Sequence, residues 1–287
     1  MAFTQKLINA SISLANGSFG PGGNNTAELT GHRISARIMA AGGQSMGTAE
    51  VAIYGLPLKL MNQLTTLGTQ TNFYDKNSIT LTAGDDPKAL SIVFQGTITI
   101  AYADMRAAPD VCLRISAHAG MLPAVMPTKP VSQGGSVDVA QTMEKIAKSA
   151  GLKFENNGVD AKLRDIYLPG NPRTQLLELA EMAGIMWTLD RDTVAIWKRN
   201  GNRSGSMPLI SPETGLVGYP AYNSGGIQVT TAFNPDIKPG GTVEVKSDLT
   251  PACGKWKVFN LEFMLDSLVP HGKWFNKFDG SQLGATQ

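Results

Sequence analysis

GIQVTTAFNPDIKPGGTVEVK (residues 226–246), followed by GKWKVFNLEFMLD (residues 254–266), is the stretch on which the reading of the fold turns. Gly226 to Ala232 and Thr242 to Lys246 place apolar and polar residues alternately, the period of a strand with one face in a core. Between them, Phe233-Asn234-Pro235-Asp236-Ile237-Lys238-Pro239-Gly240-Gly241 carries two prolines and two glycines. Proline fixes φ and removes a ladder donor, and glycine reaches backbone angles closed to other residues, so the chain must turn here. A third strand, Lys255 to Leu265, offers Trp256 to the core and leaves its neighbours free to pair. These signals predict a small β-barrel-like domain over residues 201–287, built as scaffold.

The same strand grammar fills the first part of the chain. Ile8 to Leu14, Ile34 to Ile38, Val51 to Gly55, Ser78 to Thr82, Ser91 to Ala103 and Val111 to His118 read as strands, with turn signals such as Gly84-Asp85-Asp86-Pro87 between them. One short helix is expected after Pro57, with Leu58, Met61, Leu64 and Leu67 on one face and Gly68 closing it. Residues 1–122 are therefore expected to form a first β-barrel-like domain. From Leu122 the grammar changes: Pro123, Pro127, Pro130 and Gly134-Gly135 read as a linker. Ser136 then caps a helix with Val139, Met143, Ile146 and Ala150 on its buried face and Gly151 at its end, and Leu152 to Glu155 is extended. The pattern repeats with Asn171-Pro172 at the start, Leu176, Leu179, Ala180 and Ala183 in the stripe, Gly184 at the end and Ile185 to Leu189 extended. A tight Asp190-Arg191-Asp192 turn joins that strand to Val194–Trp197. Residues 123–200 thus read as an α+β module of two helix-strand units and a hairpin, followed by a polar, Gly-rich linker from Asn200 to Ser206. The fold class expected is α+β, mainly β.

Composition narrows the function. The 287 residues suffice for two or three modest domains, and the charged fraction of 17% is below the usual quarter or so of a soluble domain, which suits a subunit that buries surface in neighbours. Lys plus Arg number 25 against 23 for Asp plus Glu, so nothing draws the chain to a phosphate backbone. The nearest basic cluster, Lys198, Arg199 and Arg203, reads as a solvated turn. No apolar run reaches the roughly 18 residues of a membrane-spanning helix, and the N-terminus alternates where a signal peptide would be continuously apolar. Cys112 and Cys253 form no CxxC pair and cannot hold zinc by themselves; Cys112 reads as a buried free thiol, and a disulfide between the two is an open alternative.

Catalytic grammar is weak throughout. His32, His118 and His271 lie in separate segments without ligand spacing and read as solvated or structural. Gly43-Gln44-Ser45-Met46-Gly47 has the letters of a nucleophile elbow, but it leads into a strand where the elbow requires a helix. Gly20-Pro21-Gly22-Gly23-Asn24-Asn25 lacks the lysine of a P-loop and the spacing of a dinucleotide loop. Glu178 with Glu181, and Asp190 with Asp192, are carboxylate pairs that could serve glycoside hydrolysis, but helix charge and turn chemistry explain both. Trp256, Phe259, Phe263, Trp274, Phe275 and Phe278 crowd the C-terminal region and read mostly as core. With Lys255, Lys257, Lys273 and Lys277 between them, stacking on single-stranded nucleic acid is the minor reading. The expectation is no catalytic, cofactor-binding or metal-ligating residue, and no cofactor.

Order and spacing then add a resemblance. Gly226–Thr231, Phe233–Gly241, Gly254-Lys255-Trp256-Lys257-Val258, Leu265-Asp266-Ser267 and Pro270-His271-Gly272-Lys273-Trp274-Phe275 together resemble the C-terminal part of phage tail baseplate hub proteins. The double helix-Gly-strand module ending Gly184-Ile185-Met186-Trp187 is similar to their middle domain, so the likeness covers about residues 124–278. It implies a non-enzymatic structural subunit whose work is done by surfaces. It also implies a homotrimer with two similar β domains per chain, six around the axis, joining a sixfold tail tube to a trimeric central spike. The implied partners are the tail tube or tube-initiator protein, the spike, the baseplate wedge proteins and the tape-measure protein, with no specific nucleic acid and no membrane insertion. The implied place is the tail baseplate of the virion, after assembly in the host cytoplasm. A tail-associated cell-wall hydrolase or a glycan-binding module is the alternative.

Overall fold

The computed structural model describes residues 4–19, 23–41, 45–65 and 77–283. By contact density the chain forms two compact units, Met1–Met39 with Gly47–Ala119 and Glu262–Asn276, and Ala40–Met46 with Gly120–Leu261 and Lys277–Gln287.

The first unit is a ladder of strands. It contains β1 (Leu7–Ser13), β2 (Thr26–Leu29), β3 (Ile34–Ala41), β4 (Thr48–Tyr54), the short helix α1 (Leu58–Leu64), β5 (Ser78–Gly84), β6 (Ser91–Asp104) and β7 (Cys112–His118). The spatial order is β2-β1-β5-β6-β7-β4-β3, with every neighbouring pair antiparallel. The alternation read from sequence is the alternation of burial. Ile8, Ala10 and Ile12 of β1, Ile34, Ala36 and Ile38 of β3, and Leu113, Ile115 and Ala117 of β7 are all buried. Each large aliphatic side chain so placed contributes about 2 kcal/mol of transfer free energy. On the far side of β3 the next neighbour is the late segment Glu262–Asp266. Ser267 caps that junction, its Oγ accepting from the Ile34 N–H at 3.0 Å while the Ser267 N–H donates to the Ile34 carbonyl at 2.8 Å. Helix α1 buries Met61 and Leu64; the expected Leu67 and Gly68 lie outside the described residues, as does part of each glycine-rich loop at residues 20–25 and 43–47.

The second unit begins with α2 (Met121–Val125), β8 (Val131–Asp138), α3 (Val139–Ser149), β9 (Lys153–Asn157), β10 (Lys162–Leu168), α4 (Pro172–Ala183), β11 (Ile185–Asp190) and β12 (Thr193–Lys198). Both helices lie where the 3.6-residue period put them, and Met143, Ile146, Leu176, Leu179, Trp187 and Ile196 meet in their core. Asn171 caps α4 and Gly184 ends it in the left-handed conformation. The start of α3 differs from expectation: Ser136 lies in β8, and the cap is Asp138, whose carboxylate accepts from the Gln141 N–H at 2.9 Å. The stretch read as a linker also differs, because Gly134-Gly135 belongs to β8, paired with β10. The pair accommodates a bulge at Asp165, which has φ 52° and whose carboxylate accepts from the Gly135 N–H at 2.7 Å. The two extended pieces after the helices, β9 and β11, flank β12, parallel and antiparallel to it respectively.

The unit continues through β13 (Leu209–Ile210), β14 (Ala221–Asn223), β15 (Gly226–Ala232), β16 (Thr242–Val245), a 3-10 turn at Thr250–Ala252, and the parts of β17 (Gly254–Asp266) up to Leu261 and of β18 (Trp274–Gln282) from Lys277. Its ladder runs β14-β15-β18-β17, with β16 on β17 and β13 on β16. Ile227, Val229, Val243, Val245 and Val258 are essentially fully buried, and Trp256 and Phe278 are core, as the alternation required; the buried Phe263 belongs to the first unit. The class is α+β, mainly β.

Candidate functional site: surfaces and a buried ionic cluster

The residue types weighed for chemistry are scattered. His32 Nδ1 lies 3.1 Å from the Tyr54 carbonyl, His118 Nδ1 lies 3.3 Å from Thr99 Oγ1, and His271 is exposed. Glu178 is half-buried and Glu181 exposed on α4. Asp190 and Asp192 take different cations, Arg203 for the first and Lys153, at 2.8 Å, for the second, so they share no site. Cys112 is buried and Cys253 exposed, both as free thiols. Burial raises the Cys112 thiol pKa, which makes it a poor nucleophile. Among the described residues no cluster of three His, Cys, Asp or Glu side chains is placed to hold a metal ion.

Where the sequence suggested a solvated turn, the structure buries an arginine. Arg203 is only 5% exposed. Its Nε and Nη2 donate to the Glu155 carboxylate at 3.1 and 2.8 Å, and its Nη1 donates to Asp190 Oδ2 at 2.7 Å. Arg191 Nε stands 3.7 Å from the other Asp190 oxygen. The planar fork pairs Glu155 through two nitrogens and Asp190 through the third, a geometry a lysine ammonium does not reproduce. Burial by itself would raise the Glu155 pKa, but the Arg203 hydrogen bonds outweigh it and the carboxyl sits below its ordinary value. A carboxylate depressed on folding stabilises fully above its unfolded pKa, and that contribution is lost as pH falls through the folded value. The thermal midpoint is therefore expected to drop below about pH 4.5. Glu155→Gln, measured by calorimetry at pH 7 and pH 3.5, should lower the midpoint at neutral pH and shrink the acid-induced loss. An unchanged difference between the two pH values would contradict the assignment.

The Phe233–Gly241 loop is more than a turn. Gly240 has φ 80°, and the space a side chain would take there is filled by the benzo edge of Trp197, 2.5 to 3.0 Å from an added Cβ. The Gly240 N–H donates to the Val258 carbonyl at 2.7 Å, and the Val258 N–H donates back to the Gly241 carbonyl at 2.9 Å, which binds the loop to β17. Lys257 Nζ lies 5.7 Å from the centre of the Trp197 ring, and Arg191 Nη2 donates to the Pro235 carbonyl at 3.5 Å. The loop is thus the seat on which the hairpin β11–β12 rests.

Two surfaces stand out. In the first unit, Ser35, Arg37, Glu50, Tyr102, Arg114 and Ser116 line a polar cleft of about 320 Å³ on the outward face of β3, β4, β7 and β6. Arg37 there donates to Glu262, and Asp104 is held by Arg106 Nε at 2.9 Å and Arg114 Nε at 2.7 Å, which drives its pKa far below the carboxylate range. In the second unit, Val217, Tyr219 and Tyr222 are large and exposed beside β14, an edge strand whose three residues all face solvent. Exposed tyrosines at a sheet edge are the side chains that interfaces favour. The Arg203 cluster carries little local signal: an arginine in a polar Gly/Ser segment that follows the β11–β12 hairpin.

Solved phage tail proteins share this architecture. The 43 kDa tail protein of prophage MuSo2 from Shewanella oneidensis is similar over 98% of this chain and 97% of its own, with a TM-score of 0.62 and 11% identity. The tail protein from Neisseria meningitidis MC58 is similar over 97% and 98%, with a TM-score of 0.66 and 11% identity. The Escherichia coli c3393 protein, a type VI secretion component with structural similarity to T4 tail proteins gp27 and gp5, gives 0.59 and 10% over 87% of this chain and 73% of its own. The fold is that of a phage tail protein. The sequence also matches the Baseplate hub gp41 family over residues 20–273, and the chain belongs to that family. This match reaches into the first β region, where the residues alone offered no likeness. No curated protein matches the chain in sequence.

Proposed function

We propose that the chain is a non-enzymatic hub subunit of a phage tail baseplate, a homotrimer that joins the sixfold tail tube to the trimeric central spike. The family match over residues 20–273 is the observation that carries this reading. Regions 1–122 and 201–287 act as two tube-like β domains, with the α+β module of residues 123–200 inserted between them. Three chains then present six β domains to the tube and one threefold axis to the spike. The tube or tube-initiator protein, spike, wedge and tape-measure proteins are its neighbours in the virion, and assembly takes place in the host cytoplasm. The free thiols and the scattered histidines and carboxylates fit a protein that works by contact. Sedimentation of the purified chain at micromolar concentration, alone and with tube and spike proteins, is expected to give a trimer or a complex that contains three copies. A persistent monomer without affinity for either protein, or one that clears peptidoglycan, would overturn the proposal.

A further inference from the structure

We infer that residues 199–206 form a strap, closed by the Arg203 guanidinium, that makes the α+β module and the C-terminal ladder of the second unit move as one body. The strap has the composition of a flexible linker, with two glycines, two serines and two asparagines. Its bonding is that of a clasp. The Arg203 side chain reaches into the module, to Glu155 on β9 and Asp190 at the end of β11. Its main-chain N–H donates the other way, to the Gly240 carbonyl at 2.7 Å, in the loop that is itself bonded to β17. One residue thus bridges both halves, by side chain on one side and by backbone on the other. The flanks repeat the arrangement: the Ser204 N–H donates to Asn157 Oδ1 at 2.7 Å, and the Pro208 carbonyl accepts from Glu244 of β16 at 3.0 Å.

Charge burial holds the clasp closed. Withdrawing the guanidinium would leave the buried Asp190 with only the longer Arg191 contact at 3.7 Å and would take from the module the hydrogen bonds of all three guanidinium nitrogens, so the closed strap is strongly favoured over the open one. Local opening of this kind is read by amide hydrogen exchange.

The test is exchange mass spectrometry on the full chain. In the unsubstituted protein the amides of Arg203, Ser204, Gly240 and Val258 should exchange as one group. Strap amides that exchange more than about 10-fold faster than those of Gly240 and Val258 would overturn the inference before any variant is made. With Arg203→Met, peptides spanning 199–206 and 233–241 should both exchange at least about 10-fold faster, while those of α4 and β15 keep their rates. Arg203→Lys should fall between, because an ammonium keeps the charge but loses the bidentate pairing to Glu155. Glu155→Gln is the milder variant should Arg203→Met not fold, and it should loosen the same two peptides. Acceleration spread evenly over the unit, or confined to 199–206, would refute the bridge.

Discussion

Replacing Gly226 by alanine should lower the stability of the chain by about 4 kcal/mol, the sum of a backbone and a steric cost. Gly226 opens β15 with φ 137°, and an added Cβ would stand 2.2 Å from the carbonyl oxygen of Gly280 on the neighbouring strand β18. The obstacle is backbone in the interior of a ladder, so no rotamer change relieves it. An L-residue held at such a φ costs roughly 1–2 kcal/mol, and forcing strands apart roughly 1–3 more. For a domain of this size that is a fall of about 12 °C in the thermal midpoint. Gly134→Ala is the matched control. Its φ is not positive and its nearest neighbour to an added Cβ is Asp165 Oδ1 at 3.8 Å, so its midpoint should move by no more than about 2 °C. Equal behaviour of the two variants in a calorimetric melt would mean that the Gly226 contact is not what the structure shows.

Gly240→Ala should cost about 3 kcal/mol by a different route, and the difference is measurable. Here the added methyl meets the Trp197 ring, which is 3% exposed and whose indole N–H finds no acceptor among the described residues. Part of the cost is left-handed backbone, which no second change removes; the rest is overlap with the ring. Trp197→Phe, which withdraws the benzo edge, should restore about 1 kcal/mol to the alanine variant although it destabilises the parent chain. Near-ultraviolet circular dichroism reports the ring directly and should change in Gly240→Ala. Strict additivity of the two substitutions would show that the ring is not the obstacle.

The contrast between these glycines explains how much of the fold was legible. Period and punctuation placed most strands of the first unit, helices α3 and α4 and the β11–β12 hairpin, because alternation, caps and terminal glycines are local chemistry. Asn171-Pro172 and Gly184 mark α4 without any knowledge of what it packs against. The features that escaped depend on what lies across the fold. Gly134-Gly135 looks like a breaker until Asp165 is known to bulge opposite it, and Ser136 looks like a cap until Asp138 is seen to be one. Arg203 looks solvated because its carboxylates are 48 and 13 positions away. The exposed Tyr219 and Tyr222 carry no local signal that separates an interface from a surface.

The split composition of the first unit has a consequence in time. Its third piece, residues 262–276, is made last, so β3 waits with its outer edge unpaired while residues 120–261 are synthesised. At ordinary elongation rates that interval is on the order of ten seconds. Throughout it the nascent chain presents an open strand edge, the feature that most readily recruits a wrong partner. Only when Ser267 reaches Ile34, and Glu262 reaches Arg37, is the edge closed. A chain that stops short of residue 262 therefore leaves its first unit as well as its second without a strand.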